Sequence, residues 1–117
     1  MRTSGTTVTF YKRSDGALVG YCARGHSGYA EAGVDIVCAA VSALTQSTLN
    51  GLQNVLELPV DSRIDDRSAL LEATFTTSIT DNQLQQAQIL LKTLLQGLQA
   101  IERSYPRNVR INFEERR

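Results

Sequence analysis

Apolar positions recur with two periods along this chain. From Thr6 to Arg13 β-branched and aromatic side chains alternate with others, Asp15-Gly16 is a preferred two-residue hairpin turn, and Ala17 to Ala23 resumes the alternation, so the chain opens on a β-hairpin. The period then lengthens to that of a helix. From about Ile36 to Leu56, Val37, Val41, Leu44, Thr48, Leu52 and Val55 form one stripe, and Pro59 ends the segment. A second hairpin follows, with Val60, Ser62 and Ile64 set against charged neighbours, a turn at Asp65-Asp66-Arg67, and Ala69 to Thr77 returning with Leu71, Ala73 and Phe75 on one side. Thr80 and Gln83 make a capping box, and Ile79 with Leu84 fits a hydrophobic staple. The second helix carries the stripe Leu84, Ala87, Leu91, Leu94, Leu95, Leu98 and Tyr105, with Ile89 and Leu90 left off it, until Pro106 stops it and Val109, Ile111 and Phe113 alternate in a last strand. The predicted order is ββαββαβ: an α+β fold, a two-layer sandwich of two helices on a mostly antiparallel sheet.

Composition narrows this reading to one domain over residues 1–117. A chain of 117 residues buries about two-thirds of its unfolded surface in a single core. Two cysteines do not make a disulfide framework, no apolar run approaches the length of a membrane span, and the first residues lack the apolar stretch of a signal peptide. A cytoplasmic protein is expected. Twelve basic residues balance twelve acidic ones with no basic face, so neither nucleic acid nor membrane is an expected partner.

Candidate chemistry concentrates between the first hairpin and the first helix. The segment from Gly25 to Val34 is glycine-rich, holds the only histidine, His26, and has no regular period. If Asp35 is the N-cap of the helix, Cys38 falls at its third position, beside unpaired backbone N–H groups and the positive end of the dipole, where a thiolate is favoured. Cys38 would lie roughly 100° from the centre of the apolar stripe, at the edge of the buried face, with Ser42 one turn further on the same side. The plainer alternative is a small buried hydrophobe, and Cys22, in a strand, is read as a packing or edge thiol. Gly25-His26-Ser27-Gly28 is not a serine nucleophile elbow, because Tyr29 follows Gly28 where that motif needs glycine. Leu44 stands where a cysteine phosphatase would need arginine, and the spacing of Cys22, His26, Asp35 and Cys38 fits no familiar structural zinc pattern. No metal and no cofactor are expected.

Gly25-His26-Ser27-Gly28-Tyr29-Ala30, followed by Gly33-x-Asp35-Ile36-Val37-Cys38-Ala39-Ala40-Val41-Ser42-Ala43-Leu44-Thr45-Gln46, resembles the signature of the ribosomal-processing cysteine proteases of bacteria. The likeness is dense over about residues 25 to 52 and elsewhere extends to element order. It implies a fold of this order, a homodimer, and a cysteine endopeptidase that removes the short N-terminal extension of a large-subunit ribosomal protein, the twenty-seventh in the usual naming, by cutting after an aromatic pair. Carried onto this chain, Cys38 is the nucleophile and His26 the general base. Asp35 and Ser42 hold motif positions near the site, and Asp35 has two competing roles, capping the helix or orienting His26. The loop containing Gly25, Ser27, Gly28 and Gly33 would close over the substrate, and backbone N–H groups at the helix start, that of Cys38 included, would serve as oxyanion donors. The alternative from another class is a non-catalytic module that binds a ribosomal peptide in the same groove.

Overall fold

Alternating segments become strands where one face of each can be buried, and the first two do so as a tight hairpin. β1 (Thr6–Lys12) pairs antiparallel with β2 (Leu18–Arg24) around a turn in which the Arg13 N–H donates to the Ala17 carbonyl at 2.9 Å. Gly16 takes the left-handed φ of +91° that this turn requires. The Arg13 guanidinium, with help from the Ala17 N–H, holds the Asp15 carboxyl well below the usual carboxylate range, at about 2. The computed structural model describes residues 5–25 and 32–116, with residues 32–35 as backbone alone.

The remaining elements are α1 (Ala32–Asn50), a π turn (Gly51–Val55), β3 (Val60–Asp65), β4 (Leu70–Phe75), α2 (Asp81–Ser104) and β5 (Val109–Glu115). The five strands form one sheet in the order β3-β4-β2-β1-β5, antiparallel except for the parallel β1–β5 pair. The parallel pair follows from connectivity, since α2 carries the chain across the sheet from β4 to the far edge. Both helices cover one face of the sheet. That face presents Val8 and Phe10 of β1, Tyr21 and Ala23 of β2, Leu71 and Ala73 of β4, and Val109 of β5, all buried against Val37, Val41, Leu49 and Leu52 on one side and Ala87, Leu91, Leu94 and Leu98 of α2 on the other. Thr9, Cys22, Glu72 and Arg63 are paired in register and alternate onto the opposite face. The expected order and two-layer sandwich are therefore present. Among the described residues no helix is long and apolar enough to cross a membrane.

Three details differ from the periodic reading. α1 begins at Ala32, about one turn before the expected start. Its buried side is Val37, Val41, Thr45, Leu49 and Leu52, whereas Val55 is 78% exposed. The π turn explains this: the Leu56 N–H donates to the Gly51 carbonyl at 2.9 Å, five residues back, so the last turn is wider than 3.6 residues and rotates Val55 off the apolar stripe. Tyr105 is the C-cap of α2 and exposed, because its backbone has already left the helical conformation. Of the two apolar residues left off the α2 stripe, Ile89 is exposed, and Leu90 packs at Gly51, where a Cβ would come within 2.9 Å of Leu90 Cδ1. Gly51 thus sets how closely the helices approach.

The expected capping box of α2 is complete: the Gln83 N–H donates to Thr80 Oγ1 at 3.1 Å, and the Thr80 N–H donates to Gln83 Oε1 at 2.9 Å. Thr80→Ala removes one of these bonds outright and should lower stability by about 1 kcal/mol. Urea unfolding followed by circular dichroism reads that as a lower midpoint with an unchanged slope.

Candidate active site

Cys38 owes its place to the two valines that flank it on the helical face. Val37 and Val41 are buried against the sheet, so Cys38, rotated by about 100° from Val37, sits half-buried on the flank of α1. Strand alternation brings Thr6 to the same spot, because it shares the helix-facing side of β1 with Val8 and Phe10. Thr6 Oγ1 lies 3.8 Å from Cys38 Sγ and donates to the Gly25 carbonyl at 3.1 Å. The backbone there is held from both sides: the Thr6 N–H donates to the Asn108 carbonyl at 2.8 Å, and the Gly25 N–H donates to the Ala69 carbonyl at 3.2 Å. Gly25 adopts a φ of +93°, and a Cβ on it would stand 2.8 Å from the Gly5 carbonyl oxygen. Only glycine fits this crossing without movement.

The sulfur opens into a cleft of about 250 Å³ between the flank of α1, the ends of β1 and β2, and the β3–β4 turn. Ser42 and Gln46 form its helical wall, and Gln46 Nε2 donates to Ser42 Oγ at 2.7 Å. Ile64, Asp65, Asp66 and Leu70 form the opposite wall. Thr45 floors the cleft: its hydroxyl donates back to the Val41 carbonyl at 2.9 Å, and its own carbonyl accepts the buried Tyr21 hydroxyl at 2.6 Å. Burial pushes the Tyr21 phenol well above its ordinary pKa, which keeps it a neutral donor. A half-exposed thiol in a partly apolar, partly hydroxylic cleft can meet an extended peptide carbonyl. The two carboxylates are the ionisable side chains other than Cys38 that line it among the described residues.

Several expected site residues fall elsewhere. Gly33 and Asp35 are the second and fourth residues of α1, so Gly33 belongs to the helix and not to the loop, and Asp35 is not its N-cap. Cys38 is accordingly the seventh helical residue, beyond the four N–H groups that a helix start leaves unpaired, and its own N–H is spoken for within the helix. The reason is local: Ala32 and Gly33 enter helical geometry before the apolar periodicity begins. Gly25 and Ser42 do line the cleft with Cys38. His26, Ser27 and Gly28 lie outside the described residues. Cys22, 3% exposed, is in register with Thr9 and Glu72 on the sheet face away from α1, with an Arg24 guanidinium N–H 3.8 Å from its sulfur, so it does not share the site. Among the described residues no three His, Cys, Asp or Glu side chains gather as metal ligands. Thr6, Gln46 and the Asp65–Asp66 turn were not legible as site residues, because only the folded sheet brings β1 and the β3–β4 turn beside α1.

A family model described as Cysteine protease Prp matches residues 6–110. The ribosomal processing cysteine protease Prp of Staphylococcus aureus is 31% identical to this chain over 108 residues, which is 92% of this chain and 98% of that protein. The crystal structure of an essential ribosomal processing protease Prp from the same species in complex with a substrate peptide is similar with a TM-score of 0.80 at 28% identity, covering 93% of this chain and 99% of that one. A crystal structure of that protease with a covalently linked product peptide is similar with a TM-score of 0.77 at 29% identity and the same coverage.

Proposed function

The chain belongs to the cysteine protease Prp family and is a cysteine protease, and from that premise we propose that it removes the short N-terminal extension of a large-subunit ribosomal protein, the twenty-seventh, by cutting after an aromatic pair. The observation that carries the assignment of the nucleophile is that Cys38 is half-exposed in the cleft while the other thiol, Cys22, is buried on the opposite face of the sheet. A covalently linked product peptide is on record for the similar protease of S. aureus, which supports a thiolate mechanism here.

In this reading His26 takes the Cys38 proton, and the thiolate attacks the scissile carbonyl to give a tetrahedral intermediate. The C–N bond then breaks as His26 returns the proton to the leaving amine. A water activated by His26 adds to the thioester, and the collapse releases the carboxylate and restores the thiol. Ser42, with its hydroxyl already accepting from Gln46, lines the binding groove and is not the attacking group. The protease would work as a homodimer in the cytoplasm on the N-terminal segment of its ribosomal substrate.

Incubation with a synthetic peptide carrying an adjacent aromatic pair, read by mass spectrometry, should show one cut on the C-terminal side of the pair. Replacing both aromatics by alanine should lower kcat/KM by at least about 100-fold, since each large apolar side chain lost from a fitted pocket is worth a factor of ten or more. Cleavage that ignores the pair overturns the specificity, and binding without any cleavage overturns the substrate assignment. His26→Ala should lower kcat by about 10²-fold or more, and full activity in that variant overturns its role as base. Sedimentation at micromolar concentration tests the dimer.

A further inference from the structure

We propose that Thr6 is a positioning residue for Cys38, its hydroxyl shared between the cysteine sulfur and the Gly25 carbonyl and turning fully to the sulfur when the thiol ionises. The inference rests on Cys38 being the nucleophile, and it concerns a residue thirty-two positions away on a different element.

A threonine hydroxyl has one proton to give and lone pairs with which to accept. In the resting geometry that proton goes to the Gly25 carbonyl at 3.1 Å, so the contact at 3.8 Å between Thr6 Oγ1 and Cys38 Sγ is completed by the thiol donating to the hydroxyl. S–H, O–H and C=O then form a chain running from the helix, through β1, to the end of β2. When the thiol gives its proton to the base, the sulfur can only accept. Thr6 keeps its own proton and swings the O–H from Gly25 to the thiolate, because a hydrogen bond to a charged acceptor is about twice as strong as one to a neutral carbonyl. No proton is lost from Thr6 in this exchange. Thr6 itself cannot drift: it is 7% exposed, its N–H is bonded to Asn108, and it pairs with Val109.

The exchange reaches beyond the sulfur. Gly25 is the last residue of its segment before His26, and the carbonyl released by Thr6 belongs to the residue whose φ of +93° sets the chain direction there. Ionisation of Cys38 would therefore free the Gly25 carbonyl, while the Gly25 N–H stays on Ala69. Other ionisable side chains lining the cleft among the described residues are Asp65, at the end of β3, and Asp66, in the turn after it; β1, β2 and the part of α1 from Ile36 onward contribute none. Both are acids that disfavour a nearby anion, whereas the Thr6 hydroxyl, 3.8 Å from the sulfur, is a neutral donor.

Thr6→Val keeps the shape of the side chain and removes the hydroxyl, and Thr6→Ser restores it. With the aromatic-pair peptide, Thr6→Val should lower kcat by about ten- to a hundred-fold with KM within about twofold, and Thr6→Ser should recover most of the loss. In the free protein, alkylation by iodoacetamide, read at each cysteine by peptide mass over a pH series, should move to higher pH at Cys38 in Thr6→Val, because the ionised sulfur loses a hydrogen-bond donor. The Cys22 curve should stay where it is in the wild type. A folded Thr6→Val protein with wild-type kcat and an unmoved Cys38 curve overturns the proposal, and so does a loss that appears in KM alone or that Thr6→Ser fails to recover. If the wild type does not cut the peptide, the substrate assignment fails by that result, whereas the alkylation curves still decide whether Thr6 stabilises the ionised sulfur.

Discussion

Replacing Cys38 by alanine is expected to reduce peptide cleavage by at least about 10³-fold, since loss of the attacking atom in a nucleophilic enzyme leaves only the catalysis supplied by binding. Cys38→Ser should be as inactive, because a hydroxyl is ionised far less readily than a thiol in the same place. Neither change should unfold the protein: the side chain is half-buried on the flank of α1, and alanine and serine both fit a volume that sulfur already occupies. Cys22→Ser should leave the rate within about twofold, because that thiol faces away from α1, although burying a hydroxyl there can cost about 1 kcal/mol of stability. Steady-state cleavage together with circular dichroism separates these outcomes. Equal inactivation by Cys22→Ser in a folded protein would remove Cys38 as the nucleophile.

Gly25→Ala should lower stability by about 2–3 kcal/mol and slow cleavage by at least about tenfold. Two costs combine at this residue. A left-handed φ disfavours any L side chain by about 1–2 kcal/mol, and a Cβ would stand 2.8 Å from the Gly5 carbonyl oxygen, a backbone atom that cannot rotate away. The chain must shift, and with it the carbonyl that accepts from Thr6 and the N–H that donates to Ala69. Gly16→Ala isolates the first cost, since its φ is +91° and nothing lies within 4 Å of a Cβ there. Its loss should be about 1–2 kcal/mol with cleavage unchanged. At roughly 4 °C per kcal/mol, thermal melting should place Gly25→Ala several degrees below Gly16→Ala; equal melting points would show that the close approach to Gly5 carries no weight.

Both predictions turn on contacts between segments far apart in the chain, and that is where legibility in the sequence ends. Period-2 and period-3.6 apolar patterns are local, so the seven regular elements, their order and the capping box at Thr80 could be read directly: a strand or an amphipathic helix announces which face it must bury. The long motif from Gly25 to Gln46 likewise pointed to the protease family, by resemblance, because a signature of that length is carried in consecutive residue types. The start of α1 was misplaced by about a turn because Ala32 and Gly33 carry no apolar signal, and Val55 was assigned to the core because a π turn leaves no mark in a hydrophobic repeat. The sheet order β3-β4-β2-β1-β5, the parallel seating of β5 beside β1, and the meeting of Thr6, Gly25 and Cys38 are settled only by tertiary packing. Burial of one sheet face under two helices chooses which strands become neighbours, and no window of sequence contains both a strand residue and the helix residue thirty-two positions later that it touches. Sequence by itself determined the elements and the family; the tertiary structure decided what surrounds Cys38, because the free energy that selects a neighbour comes from burying the whole sheet face at once.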